Sequence, residues 1–364
     1  MHWFCHAGFV PEQAGRPRSG GGGRATRVVP LGLAVVLGVV LPVGATGVAA
    51  AEEPGAPVVR CSITDPALAE ISGLVDLGER MLVMNDGGEQ VAVTVLDSGC
   101  QVLETRTADV DPYDPEDLAL AADGTLWLAD AGDNNASRAT VALIALRPDG
   151  SAAVHRLSYP DGAHDSEALL LAPDGTPYLV TKEVLGSSGV YRPTAPLSAG
   201  TTVPMERVAT VNLTLTGTAG GPVGRAGQLL VTGGAVAGDG HALALRTYTD
   251  AYVWPLVGSD VVGALAGTPA RTALPESPQG EAISFTGDNR QLVVASEGVP
   301  GDVVVVPLPA GAAAAATGTT DGPVPSLSDL TSSERSPITS ALIAAAVATV
   351  VVWVGSLFRR RPKA

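Results

Sequence analysis

The sequence predicts an all-β domain built from repeated units, preceded by a processing segment and followed by a membrane segment. Three observations predict this fold class. The 364 residues include 44 Gly and 28 Pro, which is typical of short strands joined by tight turns. Only 16% of the residues are charged, fewer than amphipathic surface helices carry. A segment that opens with Glu and reaches an Asp-containing turn seven residues later recurs along the chain.

Residues 1–50 are predicted to be a signal peptide. Arg16, Arg18, Arg24 and Arg27 form a basic region, and residues 28–51 carry no charge. This stretch ends in small residues that suit a cleavage site, the pattern of an export signal. Because the basic region is unusually long, a leader that stays attached as a signal anchor is the alternative.

A single membrane helix is predicted over residues 338–358. These 21 residues carry no charge, and at about 1.5 Å per residue they are long enough to cross a hydrocarbon core of about 30 Å. The basic tail 359–364 follows and is expected to stay in the cytoplasm by the positive-inside rule. The domain before the helix is therefore extracytoplasmic, and the Ala/Gly/Ser/Pro-rich residues 310–335 are predicted to be a flexible stalk.

The charge of the exported part limits its partners. Residues 52–335 hold 14 Arg and Lys against 36 Asp and Glu, a net charge of −22. This balance argues against nucleic acid, whose binding depends on neutralising phosphates. It suits divalent cations or cationic ligands, although acidity that only keeps an exported domain soluble explains the total equally well.

Repeats organise residues 58–309. The copies start at Glu70, Glu116, Glu167, Thr232 and Glu281, which are 46, 51, 65 and 49 residues apart. Such spacings match the four-stranded blades of a β-propeller, and a β-sandwich is not expected to repeat the Glu-to-turn interval. Five blades are favoured. Six stay open because the longest interval contains an extra strand-like run at 211–216.

The ends of the ring are predicted to meet in the last blade. That copy supplies three strands, and residues 58–63 supply the missing outer strand, which closes the ring and protects its edges. Cys61 lies on this strand and Cys100 lies at a turn of the first blade. In an oxidising compartment a Cys61–Cys100 disulfide is the natural interpretation, with free buried thiols as the alternative.

One face of the ring, here called the top face, is predicted to carry the functional residues. The innermost strand of a blade starts at this face, so the residue that opens it lies at the rim of the central channel. At four copies this residue is Glu, and carboxylate oxygens together with Asn carbonyl oxygens suit Ca²⁺. The candidate metal ligands are Glu70, Glu116, Glu167, Glu281, Asp130, Asp133 and Asn134. The alternative is that each Glu is a structural repeat residue that accepts N–H bonds from the next blade.

The blade-start glutamates and the segment from Trp127 to Asn135, WLADAGDNN, carry a resemblance. They resemble bacterial exported β-propellers with a GDN-type loop and, more distantly, phytase-like esterase and gluconolactonase-type propellers. That resemblance implies a divalent metal held by acidic residues at the channel mouth. The chain departs from the pattern at Thr232, which stands where other blades have Glu.

Two functions follow from these predictions. The first is a membrane-anchored binding module whose top face takes a small molecule or a protein. The second is a metal-dependent hydrolase of phosphoesters, esters or lactones. His164, three residues before Glu167, is a candidate general base or a solvated loop residue, and Lys182 is interpreted as a salt-bridge partner of the acids. No recognisable nucleophile motif is present, which favours binding.

Overall fold

The computed structural model describes residues 55–309 and Ala312. The predicted signal peptide 1–50, the predicted membrane helix 338–358 and its basic tail 359–364 lie outside the described residues, as does the predicted stalk 310–335 apart from Ala312. Within the part of the chain that is described, no helix has the length and apolar character needed to span a bilayer.

The described chain is all-β and consists of five four-stranded antiparallel units. The first is β2 (Ile71–Asp76), β3 (Arg80–Asn85), β4 (Val91–Asp97) and β5 (Val102–Ala108). The second is β6 (Pro115–Leu120), β7 (Leu126–Asp130), β8 (Val141–Leu146) and β9 (Ala152–Ser158). The third is β10 (Ser166–Leu171), β11 (Pro177–Thr181), β12 (Ser187–Pro193) and β13 (Thr202–Asn212). β13 pairs with β9 in the parallel direction, so the second and third units share one eight-stranded sheet.

The fourth and fifth units complete the set. The fourth is β14 (Val231–Val236), β15 (Ala242–Thr247), β16 (Asp250–Pro255) and β17 (Ala270–Ala273), with the short helix α1 (Val261–Leu265) before its last strand. The fifth is β18 (Gly280–Phe285), β19 (Gln291–Ser296), β20 (Gly301–Pro307) and β1 (Val58–Ile63). Short 3-10 helices span Pro66–Leu68 and Gly224–Gln228.

These five units form a closed ring, so the fold is a five-bladed β-propeller. The innermost strands β2, β6, β10, β14 and β18 contact one another in that order, and β18 contacts β2 again. Each pair of neighbouring blades shares one buried apolar cluster, and the fifth cluster joins the last blade to the first. The run 211–216 ends β13 and continues as a loop, so it does not add a sixth blade.

Turn chemistry explains the repeated Asp-containing motif. Gly124 and Gly175 have φ of 86° and 85°, a left-handed conformation that glycine adopts without steric cost. Asn289 takes the same role in the last copy with φ of 60°, because asparagine tolerates this region better than other side chains. These turns join the first and second strands of their blades at the face opposite the blade-start glutamates.

Covalent and polar contacts close the ring where the sequence predicts. β1 pairs with β20 in the antiparallel direction, and Cys61 on β1 forms a disulfide with Cys100 between β4 and β5. Arg60 donates to both carboxylate oxygens of Asp76 at 2.7 and 3.2 Å. Because β1 belongs to the fifth blade and Asp76 to the first, both links join the two ends of the ring.

Asp117 lies on the second blade and connects it to the third and fourth blades from inside the ring. Its fully buried carboxylate accepts backbone N–H bonds from Leu118 at 2.8 Å, Leu169 at 2.7 Å and Gly234 at 3.1 Å. These donors lie on the innermost strands of the second, third and fourth blades. The bonds fix those strands, and with them the residues that open the strands at the top face.

Candidate metal centre at the channel mouth

Three blade-start glutamates are buried at the top mouth of the channel. Glu116, Glu167 and Glu281 are 4%, 1% and 3% exposed and occupy the second position of β6, β10 and β18. Burial raises the pKa of Glu116 well above its usual value, and the charges of Glu167 and Glu281 raise it further. The repeat has therefore brought like charges together in a site that favours their neutralisation.

Glu116, Glu167 and Asp165 form the tightest acidic group, here called the carboxylate triad. One oxygen from each lies within 4.8 Å of the others. Asp165 directly precedes β10, and its position is fixed because it accepts the backbone N–H of Asp133 at 2.8 Å and that of Lys182 at 2.9 Å. Three converging carboxylate oxygens can enclose one cation.

One fully buried oxygen of the triad has no hydrogen-bond partner. Oε1 of Glu167 accepts a bond from Nζ of Lys182 at 2.7 Å, whereas Oε2 is buried and unpartnered. Leaving a buried acceptor unsatisfied costs about 1–3 kcal/mol, and more for a charged group. A cation in contact with Glu116 and Asp165 would supply the missing partner.

Gly132 makes room for the carboxylates. A Cβ at this position would lie 2.1 Å from Oε1 of Glu116 and 2.6 Å from Oδ2 of Asp114, so any side chain here would displace both groups. The Gly132 N–H donates to the backbone oxygen of Asp114 at 3.0 Å. Burial, followed by the charge of Asp165, raises the pKa of Asp114 to about 7, which makes it a fourth acid beside the triad.

The loop candidates Asp130, Asp133 and Asn134 are not brought into the triad. Asp130 pairs with Arg138 at 3.0 Å and accepts the backbone N–H of Asp114 at 2.9 Å. Asp133 accepts the N–H groups of Ser137 and Arg138, both at 2.6 Å. Asn134 is exposed. The two aspartates therefore order the loop that positions Asp114 and Gly132.

The fifth and first blades form a second acidic group, here called the Gln279 cluster. Nε2 of Gln279 donates to Glu297 at 2.6 Å and to Glu281 at 3.2 Å. Burial, followed by the charge of Glu281, raises the pKa of Glu297 to about 10. Burial and then Glu281 also raise the pKa of Asp86 to about 7. Glu70 is exposed at the edge of this cluster.

Two cations and a phenol face the same mouth. Burial lowers the pKa of Lys182, but the charges of Glu167 and Tyr248 outweigh it and the net shift is upward. The Lys182 ammonium lies 5.5 Å from the centre of the Tyr248 ring. Arg246 is 1% exposed and donates to the backbone oxygens of Ala282 and Ala295 at 2.8 and 3.1 Å. The mouth is thus mixed in charge.

His164 belongs to a neighbouring aromatic group. Its Nε2 lies 3.0 Å from Asp161 Oδ1 and 3.1 Å from the Tyr191 hydroxyl, and its ring packs edge-on against Tyr159. The candidate general base is therefore a partly buried, hydrogen-bonded residue. Lys182 forms the salt bridge that the sequence predicts, with Glu167 as its partner.

The structural alternative for the blade-start glutamates is not what their contacts show. Side chains supply the hydrogen bonds seen at two of them, Lys182 at Glu167 and Gln279 at Glu281. Aspartates accept backbone N–H bonds between blades instead, among them Asp117 from Leu169 and Gly234 and Asp165 from Asp133.

Sequence reasoning missed several residues of the mouth, although the repeat contains a signal for three of them. Asp114, Asp165 and Gln279 each stand two residues before a blade-start Glu. Reading the repeat two positions further upstream would have placed all three at the rim. Arg246 and Tyr248 have no such signal, because they lie at the end of β15 and just after it in the blade that lacks Glu.

No protein-family model and no curated protein matches this chain. Similar solved structures include a gluconolactonase from Xanthomonas campestris, which is 20% identical with a TM-score of 0.39 over 66% of this chain and 73% of that one. A putative gluconolactonase is 15% identical with a TM-score of 0.37, over 64% and 72%. Virginiamycin B lyase from Staphylococcus aureus is 12% identical with a TM-score of 0.34, over 66% and 68%. These identities and TM-scores assign no activity to this chain.

Proposed function

We propose that this chain is a membrane-anchored, extracytoplasmic binding module whose channel mouth holds a divalent cation, Ca²⁺, on the carboxylate triad. A small molecule or a partner protein binds at the top face over that cation. The observation that carries the proposal is the buried, unpartnered Oε2 of Glu167, a residue whose carboxylate converges with those of Glu116 and Asp165. The cation supplies its partner and relieves the repulsion within the triad.

The donor set favours Ca²⁺. All the donors of the triad are carboxylate oxygens, which suit hard cations and not the softer metals that prefer sulfur or imidazole. Ca²⁺ accepts six to eight oxygen ligands in flexible geometry, whereas Mg²⁺ demands a near-ideal octahedron. Three carboxylates from two blades leave positions for water or for oxygen atoms of a ligand, so the ion can take part in ligand binding.

Strand directions support a top face that points away from the membrane. β20 runs in the same direction as β18, because each is antiparallel to β19. β18 starts at the mouth with Glu281, so β20 ends at the opposite face, and β1 begins there because it is antiparallel to β20. The described chain therefore starts and ends on the face opposite the triad, and a stalk that leads to a membrane helix leaves the mouth accessible.

Calorimetry with Ca²⁺ on the chelator-treated full chain in detergent tests the cation site. We expect one ion per chain, a dissociation constant within the roughly 10⁻⁹ to 10⁻³ M range of protein Ca²⁺ sites, and a higher melting temperature when Ca²⁺ is present. The absence of both heat and melting shift would refute the proposal.

A metal-dependent hydrolase is the second candidate function. The observation that favours it is the mixed charge of the mouth, where the Lys182 ammonium and the Tyr248 ring lie on one side of the triad. A cation that polarises a substrate, next to groups that stabilise a developing anion, is an arrangement that hydrolases use. Turnover of phosphoester, ester or lactone substrates that depends on Ca²⁺ and is lost in Glu116→Gln would favour this candidate over binding alone.

A further inference from the structure

We propose that Lys182 tunes the charge selectivity of the cation site: its ammonium shifts the preference of the triad away from trivalent and towards divalent cations. This inference rests on the proposed cation site and adds the residue that sets its specificity. Lys182 does not act as a ligand, since an ammonium has no lone pair to offer. It acts as a fixed positive charge beside the ion.

Lys182 is held against the triad at two points. Its Nζ lies 2.7 Å from Oε1 of Glu167, and its backbone N–H donates at 2.9 Å to the backbone oxygen of Asp165. The pair is shielded from solvent, because the side chains of Lys182 and Glu167 are 15% and 2% exposed. The ammonium is therefore part of the site, and surrounding salt screens it weakly.

The other cations near the mouth have different partners. Arg246 donates to backbone oxygens of the fifth blade, and Arg138 pairs with Asp130. Among the ion pairs of the described residues, the one that involves a triad carboxylate is Lys182–Glu167. Removing Lys182 therefore changes the charge of the site while the other two cations keep their contacts.

The effect of the Lys182 charge on ion selectivity does not depend on the exact net charge of the triad. A fixed charge of +1 repels an ion in proportion to that ion's own charge, at an energy that grows as the local dielectric falls. Loss of the ammonium removes three units of this repulsion energy from a trivalent ion and two from a divalent ion, so the trivalent ion gains one unit more. At a separation of several ångströms in a buried site, that unit changes the affinity ratio by roughly tenfold or more.

Lanthanide competition tests the inference. Ca²⁺ and Tb³⁺ are titrated by calorimetry into the chelator-treated full chain in detergent, for wild type, Lys182→Gln and Lys182→Arg. Gln keeps a donor for Glu167 without the charge, and Arg keeps the charge. We expect the Tb³⁺-to-Ca²⁺ affinity ratio to rise roughly tenfold or more in Lys182→Gln and to stay within about twofold of wild type in Lys182→Arg.

Further variants keep the test decisive. Arg60→Met removes an ion pair at the opposite face and should leave the Tb³⁺-to-Ca²⁺ affinity ratio unchanged. If Lys182→Gln does not fold, Lys182→Met takes its place. An unchanged ratio in a folded, charge-removing variant that still binds Ca²⁺ overturns the role of Lys182 and leaves the site standing. If wild type binds neither ion, the cation site itself is wrong and the inference falls with it.

Discussion

The two halves of the channel mouth start from the same repeat position and reach different chemistry. In the second and third blades, Glu116 and Glu167 meet Asp165, a lysine neutralises one carboxylate, and one buried oxygen has no partner. In the fifth blade, an amide donates to both Glu281 and Glu297. The first half leaves a buried acceptor without a partner, whereas the second is satisfied by hydrogen bonds and a retained proton.

The residues around each glutamate decide this difference. Asp stands two positions before Glu116 and Glu167, which adds negative charge, but Gln279 stands at that position before Glu281 and adds a donor. A carboxyl group with a pKa of about 10, such as Glu297, holds its proton at neutral pH. A repeated residue thus predicts where a side chain lies and leaves its role to its neighbours.

Replacing Glu167 and, separately, Glu281 with glutamine should give the largest difference in Ca²⁺ affinity between the two halves. Glu167→Gln removes a charged ligand together with the unpartnered oxygen, and we expect Ca²⁺ affinity to fall by roughly 100-fold or more. Glu281→Gln leaves the triad intact, and its affinity should stay within about fivefold of wild type. Calorimetry on both variants measures this, and equal losses would show that the halves bind the ion together.

Removing the disulfide should separate stability from cation binding. The Cys61–Cys100 bridge spans 39 residues, and in the loop-entropy description such a bridge contributes about 4 kcal/mol. Cys61→Ser with Cys100→Ser should lower the free energy of unfolding by about that amount. Because the bridge joins the fifth blade to the first, Ca²⁺ affinity should hold at a temperature where the variant is folded. A matching loss of affinity would contradict the separation of the halves.

Asp117 supports the cation half in the way that the disulfide supports the other. Asp117→Ala leaves the buried N–H groups of Leu169 and Gly234 without acceptors, at a cost of about 1–3 kcal/mol each. We expect denaturant unfolding to show a loss of about 3 kcal/mol. Since these bonds position the strand that carries Glu167, Ca²⁺ binding should weaken as well. Destabilisation with unchanged affinity would show that the triad does not depend on this anchor.

One part of the pH dependence of stability should come from Glu297 in the Gln279 cluster. The pKa of Glu297 rises from 4.5 to about 10 on folding, so the folded chain holds a proton that the unfolded chain releases. This contribution is complete below the unfolded pKa and is lost as pH rises towards about 10.

Glu297→Gln removes that linkage. In chelator, the melting temperature of the variant minus that of wild type should increase steadily between pH 5 and 9.5, because the linkage weakens wild type by up to about 1.4 kcal/mol for each pH unit between the two pKa values. A melting-temperature difference that stays constant across this pH range would show that Glu297 is charged in the folded chain.

Much of the fold follows from the sequence, because the repeat fixes both strand order and turn chemistry. The Glu-to-turn interval predicts the innermost strands, and 58–63 are the residues of β1. The site is less predictable. Asp165 is far from Glu116 in sequence and reaches it through contacts between blades, and an unpartnered oxygen is a property of packing that no residue pattern encodes. The loop acids were placed at the correct face, but their oxygens are used by Arg138 and by backbone N–H groups.

The most direct test is a crystal of the full chain grown with Ca²⁺ and measured at a long wavelength, where calcium scatters anomalously. The account predicts one anomalous peak at about 2.3–2.6 Å from carboxylate oxygens of Glu116, Asp165 and Glu167, with Lys182 still against Glu167. A peak between Glu281 and Glu297, or a mouth without a peak at saturating Ca²⁺, would contradict it.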